Sequence, residues 1–308
     1  MTDRLDDIAA AMVARGKGIL AADESSGTIK KRFDAIGVES TEDSRRDYRE
    51  LLFRTGDAMR NHISGVILYD ETIRQKAADG TPLVDIIAAS GAVPGIKVDM
   101  GAKPLAGHPG ELVTEGLDGL RERLAEYHKL GARFAKWRAV IDIAGGIPTR
   151  GCIEANAHGL ARYAGLCQEA GIVPIVEPEV LMDGGHDIDR CFEVTEAVLN
   201  AVYDQLFTQR VRLEGSVLKP NMVISGKKCA SRAGVEEVAE KTVACLKRTV
   251  PAAVAGIAFL SGGQSDEEAT AHLSAMNAIG GLPWPLTFSY GRALQAAPQK
   301  AWSGKAEN

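Results

Sequence analysis

The sequence predicts an α/β protein built as a single-domain (β/α)8 TIM barrel that spans residues 1–308. Eight short apolar runs alternate with segments of helical periodicity. The runs recur every 30 to 50 residues or so, roughly the length of a strand, a crossover helix and their loops. Polar or charged residues stand at the end of most runs, as they do at the mouth of such barrels.

The eight runs are mostly apolar without alternation, which is typical of parallel strands buried on both faces. They cover 18–22, 65–69, 95–98, 134–137, 172–176, 216–218, 255–260 and 286–289. An open doubly wound sheet is the alternative. The absence of a G-x-G-x-x-G after the first run disfavours it.

Amphipathic helices are predicted between the runs, at 116–130, 191–206 and 235–249. Ser265 to Glu268 forms a capping box at a helix start. The sequence from Ser40 to Asp43 predicts a second box, which opens a helix through Met59. We expect a further helix within 1–16 to pack outside the barrel.

The composition excludes several classes of protein. Hydrophobic residues make up 45% and charged residues 25%, as in a globular protein with a large core. The net charge of −5 argues against a surface that binds nucleic acid. Glycine is abundant, at 33 of 308 residues, but follows no G-x-y repeat, which excludes collagen and indicates tight loops. The longest apolar stretch, near 250–260, falls short of the ~20 residues that span a membrane.

The cysteines and the N-terminus predict a cytoplasmic protein with no membrane partner. Five cysteines without a C-x-x-C pattern fit a reducing compartment better than a disulfide framework. The first residues are acidic and amphipathic, and they lack the basic and apolar regions of a secretory signal.

Charged and polar residues at the strand ends form the strongest functional pattern. They are Asp23, Lys97, Asp99, Lys136, Arg138, Glu177, Glu179, Lys219, Ser261, Ser289 and Arg292. One such residue alone would more often be a surface residue whose charged group remains solvated. Seven strands ending this way together predict a shared polar site at the barrel mouth.

Lysines and carboxylates crowded into this mouth suggest carbonyl chemistry. A partly desolvated lysine among other cations favours its neutral amine form, which is a nucleophile toward a carbonyl. A neighbouring carboxylate can move the protons that a Schiff base requires. These patterns leave open which of Lys97, Lys136 and Lys219 reacts.

Two glycine- and serine-rich patches predict phosphate sites; the first comprises two loops and the second a single segment. Leu260–Gly263 and Ser289–Arg292 follow the last two runs, where many barrels bind phosphate with backbone N–H groups. Glu24–Thr28, with Arg32, lies on the other side of the ring. Two anion sites flanking the lysines suggest an elongated substrate with a phosphate at each end.

The histidines give no sign of a metal site. None of the six forms an H-x-H, H-x-x-x-H or H-E-x-x-H pattern. The residues from Asp183 to Asp189 are more typical of a solvated loop and a helix cap than of metal ligands. We therefore expect no metal and no separate cofactor.

Seven stretches, running from about residue 15 to the C-terminus, resemble the class I, Schiff-base-forming fructose-bisphosphate aldolases. They are GKGILAADES (16–25), GIKVD (95–99), FAKWR (134–138), GIVPIVEPE (171–179), LKPNM (218–222), FLSGGQS (259–265) and LTFSYGRALQ (286–295).

This resemblance implies catalytic roles for Lys219, Glu177, Asp23, Lys136 and Glu179. Lys219 would form the Schiff base with the ketose C2, and Glu177 would be the general acid and base. Asp23 would handle the proton of the C4 hydroxyl, while Lys136 and Glu179 tune the charge. No further cofactor is implied.

The resemblance also implies a binding site for each phosphate of fructose 1,6-bisphosphate. The C1 phosphate would meet Ser261, Gly262, Gly291 and Arg292, with Ser289 supporting the pocket. The C6 phosphate would meet Ser25, Thr28, Lys97 and Arg138, with Arg32 nearby. Thr28 replaces a serine of many relatives and keeps the hydroxyl.

Relatives carry a C-terminal tail ending in a tyrosine that assists proton exchange, and this sequence stops at Asn308, before such a tail. They are usually homotetramers, so the resemblance implies a homo-oligomer. Two other functions are weighed: an aldolase preferring fructose 1-phosphate or sedoheptulose 1,7-bisphosphate, and a non-catalytic sugar-phosphate-binding scaffold. The scaffold is disfavoured because Lys219, Glu177 and Asp23 are all present.

Overall fold

The computed structural model describes residues 5–305. The strands are β1 Gly18–Ala22, β2 Ile63–Leu68, β3 Val93–Lys97, β4 Ala102–Pro104, β5 Leu112–Thr114, β6 Phe134–Ile141, β7 Val173–Val180, β8 Val217–Leu218, β9 Gly256–Phe259 and β10 Leu286–Tyr290. The helices are α1 Leu5–Met12, α2 Ser26–Asp34, α3 Glu42–Phe53, α4 Gly56–His62, α5 Asp70–Arg74, α6 Leu83–Ala89, α7 Leu120–Lys129, α8 Arg150–Glu169, α9 Ile188–Thr208, α10 Val235–Thr249, α11 Asp266–Ile279 and α12 Arg292–Trp302. A short 3-10 helix covers Leu213–Gly215.

Eight parallel strands close into a barrel in the order β1-β2-β3-β6-β7-β8-β9-β10. Each corresponds to one of the eight apolar runs, so the predicted barrel is confirmed. Two strands are longer than expected, because β6 extends to Ile141 and β7 to Val180. Arg138, Glu177 and Glu179 therefore lie within strands rather than just beyond them. Ion pairs across the barrel mouth offset the cost of placing these charges there.

Two apolar clusters form the core. The larger one fills the space between the barrel and its surrounding helices. The smaller one lies inside the barrel and combines strand residues such as Ile67, Phe134 and Val217 with Ile8 and Met12 of α1.

The helix α1 packs against the N-terminal end of the barrel. Ser64, at the start of β2, donates a hydrogen bond to the Met12 carbonyl (2.6 Å). Val13, just after α1, lies against Gly256, the first residue of β9. Residues 1–4 of the expected N-terminal segment lie outside the described residues. The end of the barrel opposite the strand C-termini is thus filled by an apolar plug.

The predicted helices are present, with shifted ends. α9 begins at Ile188 because the Asp187 side chain accepts from the Arg190 amide (2.8 Å), and α10 covers the predicted 235–249. α7 starts only at Leu120, after Gly119 in a left-handed conformation. The capping box at Ser265 is confirmed.

The second predicted capping box is wrong in its residues. Thr41, not Ser40, caps α3 and pairs with Ser44. The helix also ends at Phe53 instead of continuing through Met59. Thr55 turns its hydroxyl back to the Leu51 carbonyl (3.0 Å), and α4 starts separately at Gly56.

A hairpin of β4 and β5 was not predicted. It lies between β3 and α7 and packs beside β6, where the Thr114 hydroxyl donates to the Arg138 carbonyl (2.8 Å). Its strands are three residues long, and one contains a proline. Neither their length nor their β-propensity therefore distinguishes them from a loop. Within residues 5–305, no helix is both long and apolar enough to cross a bilayer.

Candidate active site

The C-terminal ends of the barrel strands surround a cavity of ≈ 850 Å³. Fourteen of the fifteen predicted site residues line it: Asp23, Ser25, Thr28, Arg32, Lys97, Lys136, Arg138, Glu177, Glu179, Lys219, Ser261, Gly262, Ser289 and Gly291. Arg292 lines an adjoining cavity of ≈ 510 Å³, whose wall includes Arg32, Arg138 and Ser261 as well. The structure therefore brings residues from across the chain to one mouth.

Two lysines and two carboxylates form the centre of the cavity. Lys219 Nζ lies 3.0 Å from Glu177 Oε1. Lys136 Nζ lies 2.8 Å from Asp23 Oδ2 and 3.3 Å from Glu177 Oε2. Lys136, Glu177 and Lys219 are all buried. This chain of contacts gives the amine of Lys219 a carboxylate partner and that carboxylate a second cation.

Strand geometry explains why these groups meet. Side chains two residues apart on a strand point to the same face, so Glu177 and Glu179 of β7 both face the mouth. The register places Lys136 of β6 beside Ile175, two residues before Glu177. Lys219 follows β8 directly, and its amide donates to the Val176 carbonyl (2.8 Å).

Burial and charge act in opposite directions on Asp23. Burial raises its pKa, but the positive charges of Lys136 and Lys219 outweigh burial and lower the pKa to about 2. Asp23 is therefore ionised throughout the physiological range.

Lys136 contradicts the expectation that crowded lysines favour the amine. Burial lowers its pKa, but the carboxylates of Asp23 and Glu177 outweigh burial and raise it well above the ordinary value. Lys136 is thus an ammonium ion, because carboxylates rather than cations are its nearest neighbours. This excludes Lys136 as the amine nucleophile at neutral pH.

Among the described residues that line the cavity, two buried side-chain oxygens make no hydrogen bond, although one of them keeps its ion contact with Lys136. They are Glu177 Oε2 and Ser289 Oγ. Both belong to residues that line the cavity. Buried polar groups normally have partners, so these two are available to a bound molecule.

The first phosphate patch follows β9 and β10. A Cβ atom at Gly262 would lie 2.8 Å from Met182 Cε and 2.9 Å from Glu179 Oε1, so any larger residue would displace the ends of both side chains. Gly291 directly precedes α12, whose first turn has free N–H groups. The patch therefore offers backbone donors without side chains in the way, as anion binding requires.

The second patch combines the start of α2 with cations from neighbouring strands. Ser25 Oγ lies 3.1 Å from Thr28 Oγ1, and Ser25 makes no capping hydrogen bond with its side chain. Lys97 Nζ lies 2.7 Å from Asp99 Oδ1. Arg138 Nε donates to Glu179. Hydroxyl and cationic donors thus converge on one rim. The expectation that Glu24–Thr28 lies across the ring from the first patch is wrong, because β1 pairs with β10 and the two patches are neighbours.

Sequence reasoning missed the residues beneath this rim. Glu24 was seen only as part of a serine-rich patch, yet its carboxylate is buried and bonded to Arg32, Arg49 and Gln295. Arg49 lies on the buried face of α3 beside Tyr48 and Leu52. An arginine among the apolar residues of a helix indicates a buried ion pair, and this pattern is visible in the sequence.

No three or more His, Cys, Asp or Glu residues among 5–305 are grouped to hold a metal ion. Asp183 pairs with Lys227 (2.7 Å) and Asp187 caps α9, so this segment is a loop and helix cap as predicted.

The closed barrel carries at its mouth a buried cluster of lysines and carboxylates, the arrangement that an enzyme acting on carbonyl compounds through a lysine requires. A family model described as fructose-bisphosphate aldolase class-I matches residues 4–308. A probable class 1 fructose-bisphosphate aldolase of Xanthomonas campestris is 64% identical over 301 residues, covering 98% of this chain and 90% of the relative.

A fructose-bisphosphate aldolase of Drosophila melanogaster is 56% identical over 309 residues, covering 100% of this chain and 85% of the relative. A co-crystal structure of the aldolase from Plasmodium falciparum superposes with a TM-score of 0.97 at 50% identity, covering 99% of this chain and 88% of that one. The chain belongs to the class I fructose-bisphosphate aldolase family, which confirms the resemblance stated from the motifs.

Proposed function

We propose that this chain catalyses the reversible aldol cleavage of fructose 1,6-bisphosphate through a Schiff base on Lys219. The observation that carries the proposal is the contact of 3.0 Å between Lys219 Nζ and Glu177 Oε1 inside the mouth. The products are dihydroxyacetone phosphate and glyceraldehyde 3-phosphate. Family membership supports the reaction, and the geometry supports the assignment of roles.

Glu177 is the general acid and base for imine formation. Glu177 takes a proton from the Lys219 nitrogen, and the resulting amine attacks the C2 carbonyl. The added nitrogen passes a proton to the C2 oxygen, which gives a carbinolamine. Glu177 then returns its proton to the departing hydroxyl, which leaves as water, and a protonated imine forms. Lys136, 3.3 Å from Glu177 Oε2, stabilises the carboxylate that results.

Asp23 and Glu177 flank the bond that breaks. Asp23, ionised and held by Lys136, accepts a hydrogen bond from the C4 hydroxyl and orients it. As that hydroxyl passes its proton to Asp23, the C3–C4 bond breaks and its electrons move into the iminium, giving an enamine and the free aldehyde. Asp23 then releases this proton, and an equivalent proton adds to C3 of the enamine. Water hydrolyses the resulting imine, which frees the second product and restores Lys219.

The two phosphate patches hold the substrate ends. Ser261, Gly262, Gly291 and Arg292 bind the C1 phosphate, with Ser289 beside it. Ser25, Thr28, Lys97 and Arg138 bind the C6 phosphate, with Arg32 nearby. Anchoring both ends uses binding energy to orient the scissile bond over the lysine.

Borohydride trapping tests the lysine assignment. Incubation with fructose 1,6-bisphosphate and borohydride should give a stable adduct that peptide mapping places on Lys219, and Lys219→Arg should abolish it. Lys241→Arg, a surface change at an ion pair with Asp189, is the matched control and should trap normally. An adduct on another lysine would contradict the mechanism.

We also propose that the reaction needs no metal or separate cofactor, so cleavage should be insensitive to EDTA. The chain is proposed to act in the cytoplasm as one catalytic domain within a homo-oligomer. Four buried free cysteines support a reducing compartment. Light scattering coupled to gel filtration would measure the assembly, and a monomer would refute it.

A further inference from the structure

A buried ion cluster lies beneath the rim that is proposed to bind the C6 phosphate. Arg49 Nη2 donates to Glu24 Oε2 (2.8 Å), and Arg32 Nη1 donates to Glu24 Oε1. Gln295 Nε2 donates to Glu24 Oε1 as well (2.8 Å). The carboxylate of Glu24 therefore has two cationic partners, one on each oxygen.

The two arginines differ in what else they can reach. The Arg49 side chain is 3% exposed and cannot touch a ligand, whereas that of Arg32 is 25% exposed and lines the cavity. Arg49 Nη1 donates to the Ala22 carbonyl at the end of β1 (2.7 Å). This bond fixes Arg49 to the strand from which Asp23 and Glu24 emerge.

The elements around the cluster hold it rigidly. Gln295 of α12 also donates to the Ala21 carbonyl (2.6 Å), and the Tyr48 hydroxyl donates to Gln295 Oε1 (3.2 Å). Three elements far apart in the chain (β1, α3 and α12) are thereby joined at one carboxylate.

The charges of this cluster do not cancel. One carboxylate and two guanidinium groups give −1 + 2 = +1. Without Arg49 the sum would be zero, because Glu24 would neutralise Arg32 alone. Buried charges are weakly screened by salt, so this difference acts on a ligand at the rim.

We propose that Arg49 is a positioning residue that sets the charge of the C6-phosphate rim. Arg49 balances the negative charge of Glu24, so the positive charge of Arg32 remains available to attract the phosphate. Arg49 acts through Glu24 and touches no substrate. The inference rests on the proposed function only in taking the ligand at this rim to be a sugar phosphate.

The test compares two substrates that differ in one phosphate. In Arg49→Gln, kcat/KM for fructose 1,6-bisphosphate should fall about tenfold relative to kcat/KM for fructose 1-phosphate, which is the effect of ~1.4 kcal/mol lost at one end. The loss should fall mainly on KM. Binding of fructose 6-phosphate, measured by titration calorimetry, should weaken in parallel.

The double variant Glu24→Gln/Arg49→Gln separates charge from structure. It leaves Arg32 unpaired, so the rim returns to +1. The substrate ratio, meaning kcat/KM for fructose 1,6-bisphosphate divided by kcat/KM for fructose 1-phosphate, should recover to within about threefold of wild type. A merely structural Arg49 predicts that the double variant is at least as impaired as the single one. An unrestored ratio would therefore overturn the proposal.

Two further variants complete the design. Arg45→Gln removes the ion pair of Arg45 with Glu71 (2.6 Å), one turn earlier on α3, and should leave the ratio unchanged. Arg49→Lys retains the charge and should keep most of the ratio even if Arg49→Gln folds poorly. An unchanged substrate ratio in folded Arg49→Gln would contradict the proposal that Arg49 acts by its charge. A substrate ratio that falls as far in Arg49→Lys as in Arg49→Gln would contradict it as well.

The calorimetric measurement keeps the two proposals apart. If wild type failed to cleave either substrate, the proposed function would fail, while the effect of Arg49 on fructose 6-phosphate binding would still decide this inference.

Discussion

At the scale of single residues, the site depends on which charges face each other rather than on how many are present. The sequence alone placed Asp23, Lys136, Glu177 and Lys219 in one mouth, because each stands at or near a strand end. It could not show which of these charged groups contact each other, since the pairing of Lys136 with two carboxylates depends on strand register and side-chain direction. The structure supplies these pairings and shows that two carboxylates raise the pKa of Lys136.

Glu177→Gln should lower kcat about 10²- to 10⁴-fold, because the amide cannot transfer the protons of imine formation. Substrate binding should change little, since the phosphate anchors are untouched. Rapid-quench borohydride trapping would follow the rate of imine formation. Glu196→Gln, which alters a surface pair with Arg248, serves as control, and an unimpaired Glu177→Gln enzyme would contradict the assignment.

Asp23 links the site to acid stability. Its pKa is about 2 in the fold against 3.8 ordinarily, so its stabilising effect is complete above pH ~4 and disappears as pH falls through ~2. Its loss in Asp23→Asn should cost about 2 kcal/mol of unfolding free energy near pH 6 and roughly half of that at pH 3.

Urea unfolding at several pH values would measure this difference. Asp57→Asn, at an exposed pair with Arg60, is the control and should change stability only slightly. A penalty for Asp23→Asn that stays constant down to pH 3 would show that Asp23 is not held in its charged form.

At the scale of elements, apolar runs predicted every barrel strand, because strands buried on both faces leave a continuous apolar signature. The hairpin of β4 and β5 was not predictable, since its strands are only three residues long and β4 is exposed throughout. Arg49 and Gln295 were missed for another reason. Each comes from a helix distant in sequence from β1, and only the closed barrel brings them to Glu24.

The start of α3 offers a direct comparison of a predicted and an observed cap. Thr41→Ala should destabilise the protein by about 1 kcal/mol, because it removes the acceptor for the Ser44 amide. Ser40→Ala should cost less, because its hydroxyl accepts only a long bond of 3.3 Å from Arg45. Thermal unfolding of both variants would settle the order, and a larger loss for Ser40→Ala would restore the original assignment.

At the scale of the whole molecule, the barrel separates stability from chemistry. The plug formed by α1 fills the N-terminal end, and the charged cavity occupies the other. The sequence predicted a helix outside the barrel but not this closure, because the contact of Met12 with the barrel interior depends on how all eight strands are arranged.

Met12→Ala should therefore lower the unfolding free energy by about 2 to 5 kcal/mol while kcat at moderate temperature stays close to wild type. Ala11→Ser, at the neighbouring exposed position, should change stability by under ~1 kcal/mol. Denaturant unfolding and steady-state assays on the same preparations would check both. A large fall in kcat for folded Met12→Ala would mean that the two ends are coupled.

The Lys136 contacts have one further consequence. Lys97 with Asp99 and Arg138 with Glu179 each sum to zero, which leaves Lys136 facing Asp23 and Glu177 at +1 − 2 = −1. In the proposed mechanism the protonated imine on Lys219 supplies the remaining positive charge once Glu177 has given up its proton. The covalent intermediate therefore keeps the site electrically neutral, and the protein favours the cation that the reaction creates.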